Sequence, residues 1–320
     1  MPEENTKMSR MSPKENYLAA IRFADPERVP LGNEPISHRL QFEGNFYMGD
    51  WTDLWGVRWE AGLRDTVPFP KGNPLPSFDR LDGYRFPDPN ALVFTDELRH
   101  GLTQVDRGSM LVIGELYYLL FERAWAIMGM DSFLSGLVTH PEEARSYLHA
   151  IASYARAVFD RYLELGVDGV TFTEDLGSQR ALMISPRMFR EFLLPEYEHC
   201  FENVLREGKL VLFHSCGCVE SIASDLASIG VSVLNPIQAR ANDLKRVKAD
   251  TIGRMALHGA IDTAVLALGT PEEVREEVIR VTEILKPGGG WVCAPDQSIP
   301  GIPEQNMNAL WETAQEFGRY

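Results

Sequence analysis

The chain has few cysteines, no long apolar run and no surplus of positive charge, and each shortage excludes something. Four cysteines in 320 residues cannot staple a chain of this length, so they imply packing or chemistry in a reducing setting. No apolar stretch approaches the roughly 18 residues that a membrane span requires. The first twenty residues hold neither an apolar core nor a small-residue cleavage site, and no secretory signal is expected. Acidic residues outnumber basic ones 46 to 31, a net charge of −15. A field of that sign repels phosphate backbones and anionic lipid, so neither nucleic acid nor membrane is an expected partner. Together these absences predict a cytoplasmic protein. The Gly-rich loops G-x-G-x-x-G and G-x-x-x-x-G-K-[ST] are also missing, which argues against a doubly wound nucleotide-binding sheet.

What is present is the composition of a folded domain: 44% apolar and 24% charged residues, far from disordered, collagen-like or coiled-coil sequence. Residues 1–14 are polar and expected to fray. Residues 16–23 carry apolar side chains at helical spacing. The stretch 28–33 reads as a first strand, and 42–90 as an irregular insertion rich in Gly, Pro and Trp. Trp51, Trp55 and Trp59 there are expected to form a small core rather than to wall a pocket. After Gly108, short apolar runs alternate with longer segments of helical period. Strands are predicted at 110–114, 168–173, 209–215, 231–235, 254–258 and 290–294, with helices at 141–166, 186–207, 219–229, 242–249 and 271–285. Thr270-Pro271-Glu272-Glu273 offers a capping box with Pro at the first helical position. Strand–helix alternation implies a parallel sheet, and seven strands with an eighth at 91–95 suit one α/β domain, a (β/α)8 TIM barrel over residues 1–320.

In such a barrel the active site lies where strands end. Glu115, Glu174, Asp175, Gln238, residues 258–262 and Asp296 all fall at those ends. Glu174, Asp175 and Gln238 are the candidate catalytic residues. His214-Ser215-Cys216 is more informative. Its His and Cys project to one side of an extended strand, because the side-chain period is two. A third soft ligand from a neighbouring strand end, such as Cys293, would complete three corners of a tetrahedral zinc site with a position left open for chemistry. The alternative is a hydrogen-bonded histidine beside small buried cysteines. Cys218 is a further candidate ligand, Cys200 reads as helix packing and His199 as surface.

Longer stretches carry a resemblance. NYLAAIRFADPERVPL, WTDLWGVRW, FTEDLGSQRALMISPRMF, LVLFHSCGCVESIASDLASIGVSVLNPIQ, HGAIDT, GTPEEVREEV and GGGWVCAPDQSIP resemble the uroporphyrinogen decarboxylase superfamily, and within it the zinc-dependent, cobalamin-linked methyltransferases. The resemblance implies a (β/α)8 barrel and the motif H-x-C-x(n)-C, which matches His214, Cys216 and Cys293 as metal ligands. It further implies zinc, a corrinoid (cobalamin) supplied by a corrinoid-binding partner protein, and a small-molecule methyl donor or acceptor. The donor would be a methoxylated compound or a methylamine, the acceptor a thiol. Decarboxylation of uroporphyrinogen is the alternative within the superfamily. Against it, residues 31–48 contain Arg39 alone where that reaction's arginine-rich segment is expected. A non-catalytic corrinoid-binding barrel is the third possibility, and it would be expected to lack the metal ligands.

Overall fold

The computed structural model describes residues 10–42, 49–62, 68–93, 95–297, 299 and 301–320. Helix α1 (Pro13–Ile21) opens the described chain, its N-terminus closed by a Ser12/Glu15 capping box with Pro13 in the first turn. Strand β1 (Ser37–Gln41) follows. Then come three short strands, β2 (Trp51–Thr52), β3 (Arg58–Glu60) and β4 (Phe69–Gly72), and helix α2 (Asp96–Thr103). From β5 (Leu111–Leu116) the alternation is regular: α3 (Phe121–Met128), α4 (Met130–Thr139), α5 (Pro141–Glu164), β6 (Gly169–Thr173), α6 (Pro186–Met188) and α7 (Leu194–Arg206). It continues through β7 (Leu210–His214), α8 (Ala223–Ser228), β8 (Val233–Ile237), α9 (Leu244–Thr251) and β9 (Ala256–Ile261). Helices α10 (Thr263–Leu268) and α11 (Pro271–Leu285), strand β10 (Trp291–Pro295) and helix α12 (Glu304–Phe317) complete the chain.

Seven strands form one parallel sheet in the order β1-β5-β6-β7-β8-β9-β10. The sheet curls, and the segment just before β1 bridges its far edge. Leu31 makes a single parallel bridge to Cys293, with Gly32 N–H donating to Cys293 O and Cys293 N–H to Pro30 O. The expected TIM barrel is therefore present, but its first strand differs from expectation. Residues 28–33 make only isolated bridges, Arg28 antiparallel to Arg319 and Leu31 parallel to Cys293, and the hydrogen-bonded strand is Ser37–Gln41. The described residues of 91–95, all but 94, contribute no eighth strand: Pro89–Ala91 is a 3₁₀ turn, and Thr95 caps α2. The capping box at Thr270 is formed as expected. Helix 186–207 is broken by a π-helical turn, Phe189–Leu193, just before Pro195 removes a helical N–H.

Strand alternation creates two cores. Leu111, Ile113, Leu210, Val233, Ala256 and Val292 point into the barrel and meet Tyr17 and Ile21 of α1, which plugs the end where the strands begin. The opposite faces pack against the helices, as the buried stripe Ala144, Leu148, Ile151, Ala155, Val158 and Tyr162 of α5 requires. At the other end the strands stop short of any plug, and that end forms the mouth.

The Trp-rich insertion is a three-stranded antiparallel sheet, β2-β3-β4. It makes the expected core, but one continuous with the barrel's outer core rather than separate. Asp53 pins it. Its carboxylate accepts from the N–H groups of Trp55 and Val57 and from Trp59 Nε1, and pairs with Arg123 of α3; both side chains are under 5% exposed. Arg123→Met leaves that carboxylate buried and uncompensated, so the urea midpoint should fall by an amount equal to about 3–5 kcal/mol. Adding Asp53→Asn should recover part of the loss, because Asn keeps the acceptor and sheds the charge. An undiminished midpoint in the single variant refutes this account.

Candidate metal centre and active site

His214 ends β7 on the inward parity of Leu210 and Leu212. Its Nδ1 lies 3.0 Å from Asn235 Oδ1 at the end of β8. With that amide oxygen accepting, Nδ1 carries the proton and Nε2 keeps its lone pair, the arrangement metal-binding histidines use. Nε2 faces Cys216 Sγ at 3.6 Å and Asp175 Oδ1 at 3.7 Å. Among the described residues, Asp175, His214 and Cys216 are the group whose ligand atoms all fall within 4.8 Å of one another. One nitrogen, one sulfur and one oxygen donor suit Zn²⁺ and leave a coordination position open. Burial, then the Asp175 carboxylate, pushes the Cys216 thiol well above its ordinary range. A cation bound there would reverse that balance, since a coordinated thiol is deprotonated outright.

The turn after His214 is held from outside. Asp175 Oδ1 accepts the Cys216 N–H at 2.8 Å, Ser215 Oγ accepts the Leu176 N–H, and Gln238 Oε1 accepts the Gly217 N–H. Gly217 has φ +82°, and a Cβ there would sit 2.2 Å from the Gly177 carbonyl oxygen, so the turn needs glycine twice over.

The group opens into a cavity of about 610 Å³ at the barrel mouth, walled by Tyr117, Tyr118, Glu122, Asn235, Asp296 and Gln297 among others. A smaller chamber of about 270 Å³ inside the barrel shares His214 and Asn235 with it and is lined by Arg39 and His258. Burial, aided by the charges of Arg39 and His214, lowers the His258 pKa to about 4. Arg39 is paired with Glu115 at 2.6 Å. Tyr118 is backed by the Trp59 ring at a centroid distance of 4.7 Å. It sits at φ +58°, a conformation a tyrosine adopts only where its surroundings impose it. Its N–H donates to Thr173 Oγ1.

The uroporphyrinogen decarboxylase (URO-D) family model matches residues 121–317. The chain belongs to this family. Methylcobamide:CoM methyltransferase MtaA from Methanosarcina barkeri is 26% identical over 195 residues, 60% of this chain and 51% of that protein. Uroporphyrinogen decarboxylase from Gloeobacter violaceus is 23% identical over 254 residues, 76% of this chain and 70% of that one. The chain spans about half the length of the curated methyltransferases it matches. A methyltransferase from Methanosarcina mazei superposes with a TM-score of 0.70 over 96% of this chain and 99% of that one, at 18% identity, a likeness of fold.

Within this URO-D barrel the sequence-derived site residues divide. His214, Cys216 and Asp175 come together, although Asp175 stands with the ligands rather than apart as a catalytic acid. Cys293 does not join them. It alternates with the inward Val292 and so packs in the outer core against the helices, and burial alone pushes its thiol up. Cys293 thus lies on β10 with its side chain on the face turned to the helices. Beyond it, Asp296 and Gln297 reach the mouth. Glu174 is 0% exposed and faces away from the cavity. Its carboxylate accepts from the N–H groups of Leu120, Phe121 and Glu122 at the start of α3 and from the Tyr197 hydroxyl. Burial raises its pKa to about 7 against those hydrogen bonds. Gln238, also buried, bridges Gly217 and Gln179, which makes it a support of the turn.

Cys218 is tied by its N–H to Ser178 O and lies outside the ligand group. Cys200 is buried packing, as expected. His199 is half-buried between Arg156 and the His149 ring, and not a plain surface residue. Two mouth residues escaped the sequence reading, Tyr118 and Glu122. The signal available was Y-Y-L-L-F-E-R directly after a strand, where a βα turn must place polar groups at the mouth.

These placements separate two neighbouring carboxylates by experiment. Asp175→Asn should lose most bound zinc, measured by metal analysis, and leave the urea midpoint nearly unchanged. Glu174→Gln should keep zinc and lose about 1–3 kcal/mol of stability, because buried N–H donors lose a charged acceptor. The reverse pattern overturns the assignment.

Proposed function

We propose that this URO-D family protein is a methyltransferase, moving a methyl group between a corrinoid carried on a separate protein and a small substrate at a zinc site made by His214, Cys216 and Asp175. The observation that carries the proposal is the convergence of those N, S and O donors at the strand-end mouth of a barrel whose relatives include methylcobamide:CoM methyltransferases. When bound, zinc would hold a thiol as its thiolate near neutral pH or polarise the heteroatom that carries the methyl group.

The chain's own groups prepare the site. Asn235 fixes the tautomer and ring plane of His214. Asp175 holds the Cys216 backbone and presents its carboxylate to the same point. Tyr117, Tyr118 and Pro295 wall the substrate space, and the open mouth is the face on which a corrinoid protein would dock. The substrate remains a thiol acceptor or a methoxy or methylamine donor.

Uroporphyrinogen decarboxylation fits less well. Its substrate carries many carboxylates, whereas the described walls of the mouth cavity hold no lysine or arginine. A non-catalytic corrinoid-binding barrel fits less well too, because three donors, His214, Cys216 and Asp175, converge at the mouth even without Cys293.

The test combines metal analysis with methyl transfer in the presence of a small corrinoid protein. Wild type should bind zinc and transfer methyl groups, and chelation should abolish transfer until zinc is restored. Cys216→Ser should lose most of both. Cys293→Ser should keep both, since its side chain faces the helices. Conversion of uroporphyrinogen to coproporphyrinogen, without corrinoid-dependent transfer, would replace this function with the decarboxylase one.

A further inference from the structure

Between the metal ligands and α1 the barrel is not filled. Barrels of this kind ordinarily pack their interior with layers of branched side chains, yet here a chamber of about 270 Å³ lies below the mouth. Aliphatic side chains wall it, among them Ile36, Leu111, Ile113, Val233 and Val292. Three hydroxyls line it as well, those of Tyr17, Ser37 and Thr171. His214 and Asn235 line both this chamber and the mouth cavity, so the metal ligands stand between two spaces.

The charges in the chamber are spent in pairs. Arg39 donates to Glu115 at 2.6 Å, and Glu34 pairs with Arg28. A ligand that carried a lone charge inward would have to break one of these pairs or remain uncompensated, and either is costly where water is scarce. A hydroxyl both donates and accepts, so the three hydroxyls suit a ligand group that does the same. Size completes the argument. An engineered apolar cavity of about 150 Å³ takes up benzene, so this chamber has room for a six-membered ring and a substituent. A corrinoid would approach from the mouth, so the methyl group has to face that way and the rest of the substrate has to point inward.

We propose that the inner chamber binds the part of the substrate that is not transferred, and that this part is an uncharged ring of benzene size bearing a hydroxyl. The substrate is then a methoxylated ring compound; a short charged thiol or a methylamine does not fill the space. The inference rests on the methyltransferase reading above and adds the size and charge class of the substrate to it.

Four methyl ethers test it, titrated calorimetrically into zinc-loaded and metal-free protein: 4-methoxyphenol, anisole, 4-methoxybenzoate and 2-methoxyethylamine. 4-Methoxyphenol should bind at least about tenfold more tightly than the benzoate and the amine, with anisole between. The order should hold in metal-free protein, because the chamber is made by the chain alone. Val233 walls the chamber and is absent from the described walls of the mouth cavity. Val233→Phe should therefore weaken 4-methoxyphenol at least about tenfold, with zinc content that of wild type. Val233→Leu, a smaller intrusion for the case in which the larger one unfolds the barrel, should weaken it about threefold. Undiminished binding in a folded Val233 variant overturns the proposal, as does equal or tighter binding of the benzoate or the amine by wild type. Zinc uptake without binding of the ring overturns this proposal alone. A protein that takes up no zinc overturns the methyltransferase reading and this proposal with it.

Discussion

The alternation of side chains along a parallel strand decides what this barrel can do. Each strand sends one set of residues inward and the other toward the helices, and only the inward set near the strand ends reaches the mouth. On β7 that rule delivers His214, after Leu210 and Leu212 have filled the barrel below it. On β10 the same rule sends Val292 inward and Cys293 outward. A shift of one residue would exchange them. The carboxylates of the mouth, and the loops that carry them, are arranged around this outcome.

The loops after β5 and β6 hold each other in place. Glu174, from the second, supplies the acceptor for the first N–H groups of α3. It thereby fixes the helix that carries Glu122 and Arg123. Arg123 in turn anchors Asp53 and the small antiparallel sheet, whose Trp59 backs Tyr118 at the cavity wall. Asp175, adjacent to Glu174, points the other way and meets His214 and Cys216. Two consecutive acids thus do opposite work. One is buried and stabilises the scaffold, and the other faces the cavity and serves the site. A carboxylate held by several backbone N–H groups at a helix start is well placed for the first task.

The URO-D fold leaves the chemistry open, because one barrel can host different reactions at its loops. The relatives of this chain carry the names of a methyltransferase and of a decarboxylase at similar identity. The methyltransferase proposal rests on side chains at the mouth. The N, S and O donor set points toward a metal, and the absence of lysine and arginine from the described walls points away from a polyanionic substrate.

Much of the architecture was legible in local pattern. The βα rhythm after Gly108, the capping box at Thr270 and the nearness of His214 to Cys216 depend on neighbours in sequence, and the structure contains all three, although Cys216 sits in the turn after β7 rather than on the strand. The sheet's first strand was misplaced, since residues 28–33 are as apolar as a strand but make only isolated bridges, at Arg28 and Leu31. Cys293 was misread because spacing along the chain reports which strand carries a residue and says nothing of the face it occupies. Glu174 and Asp175 were indistinguishable as a pair of acids after a strand, and Glu122 lay in a segment with no metal or catalytic motif. The sequence by itself determined the fold class, the family and the His-x-Cys half of the centre, because these are written in local periodicity and adjacent residues. Which carboxylate completes that centre and which one caps a helix was decided only when distant loops met across the barrel mouth. Burial and hydrogen-bond partners there come from residues tens of positions apart.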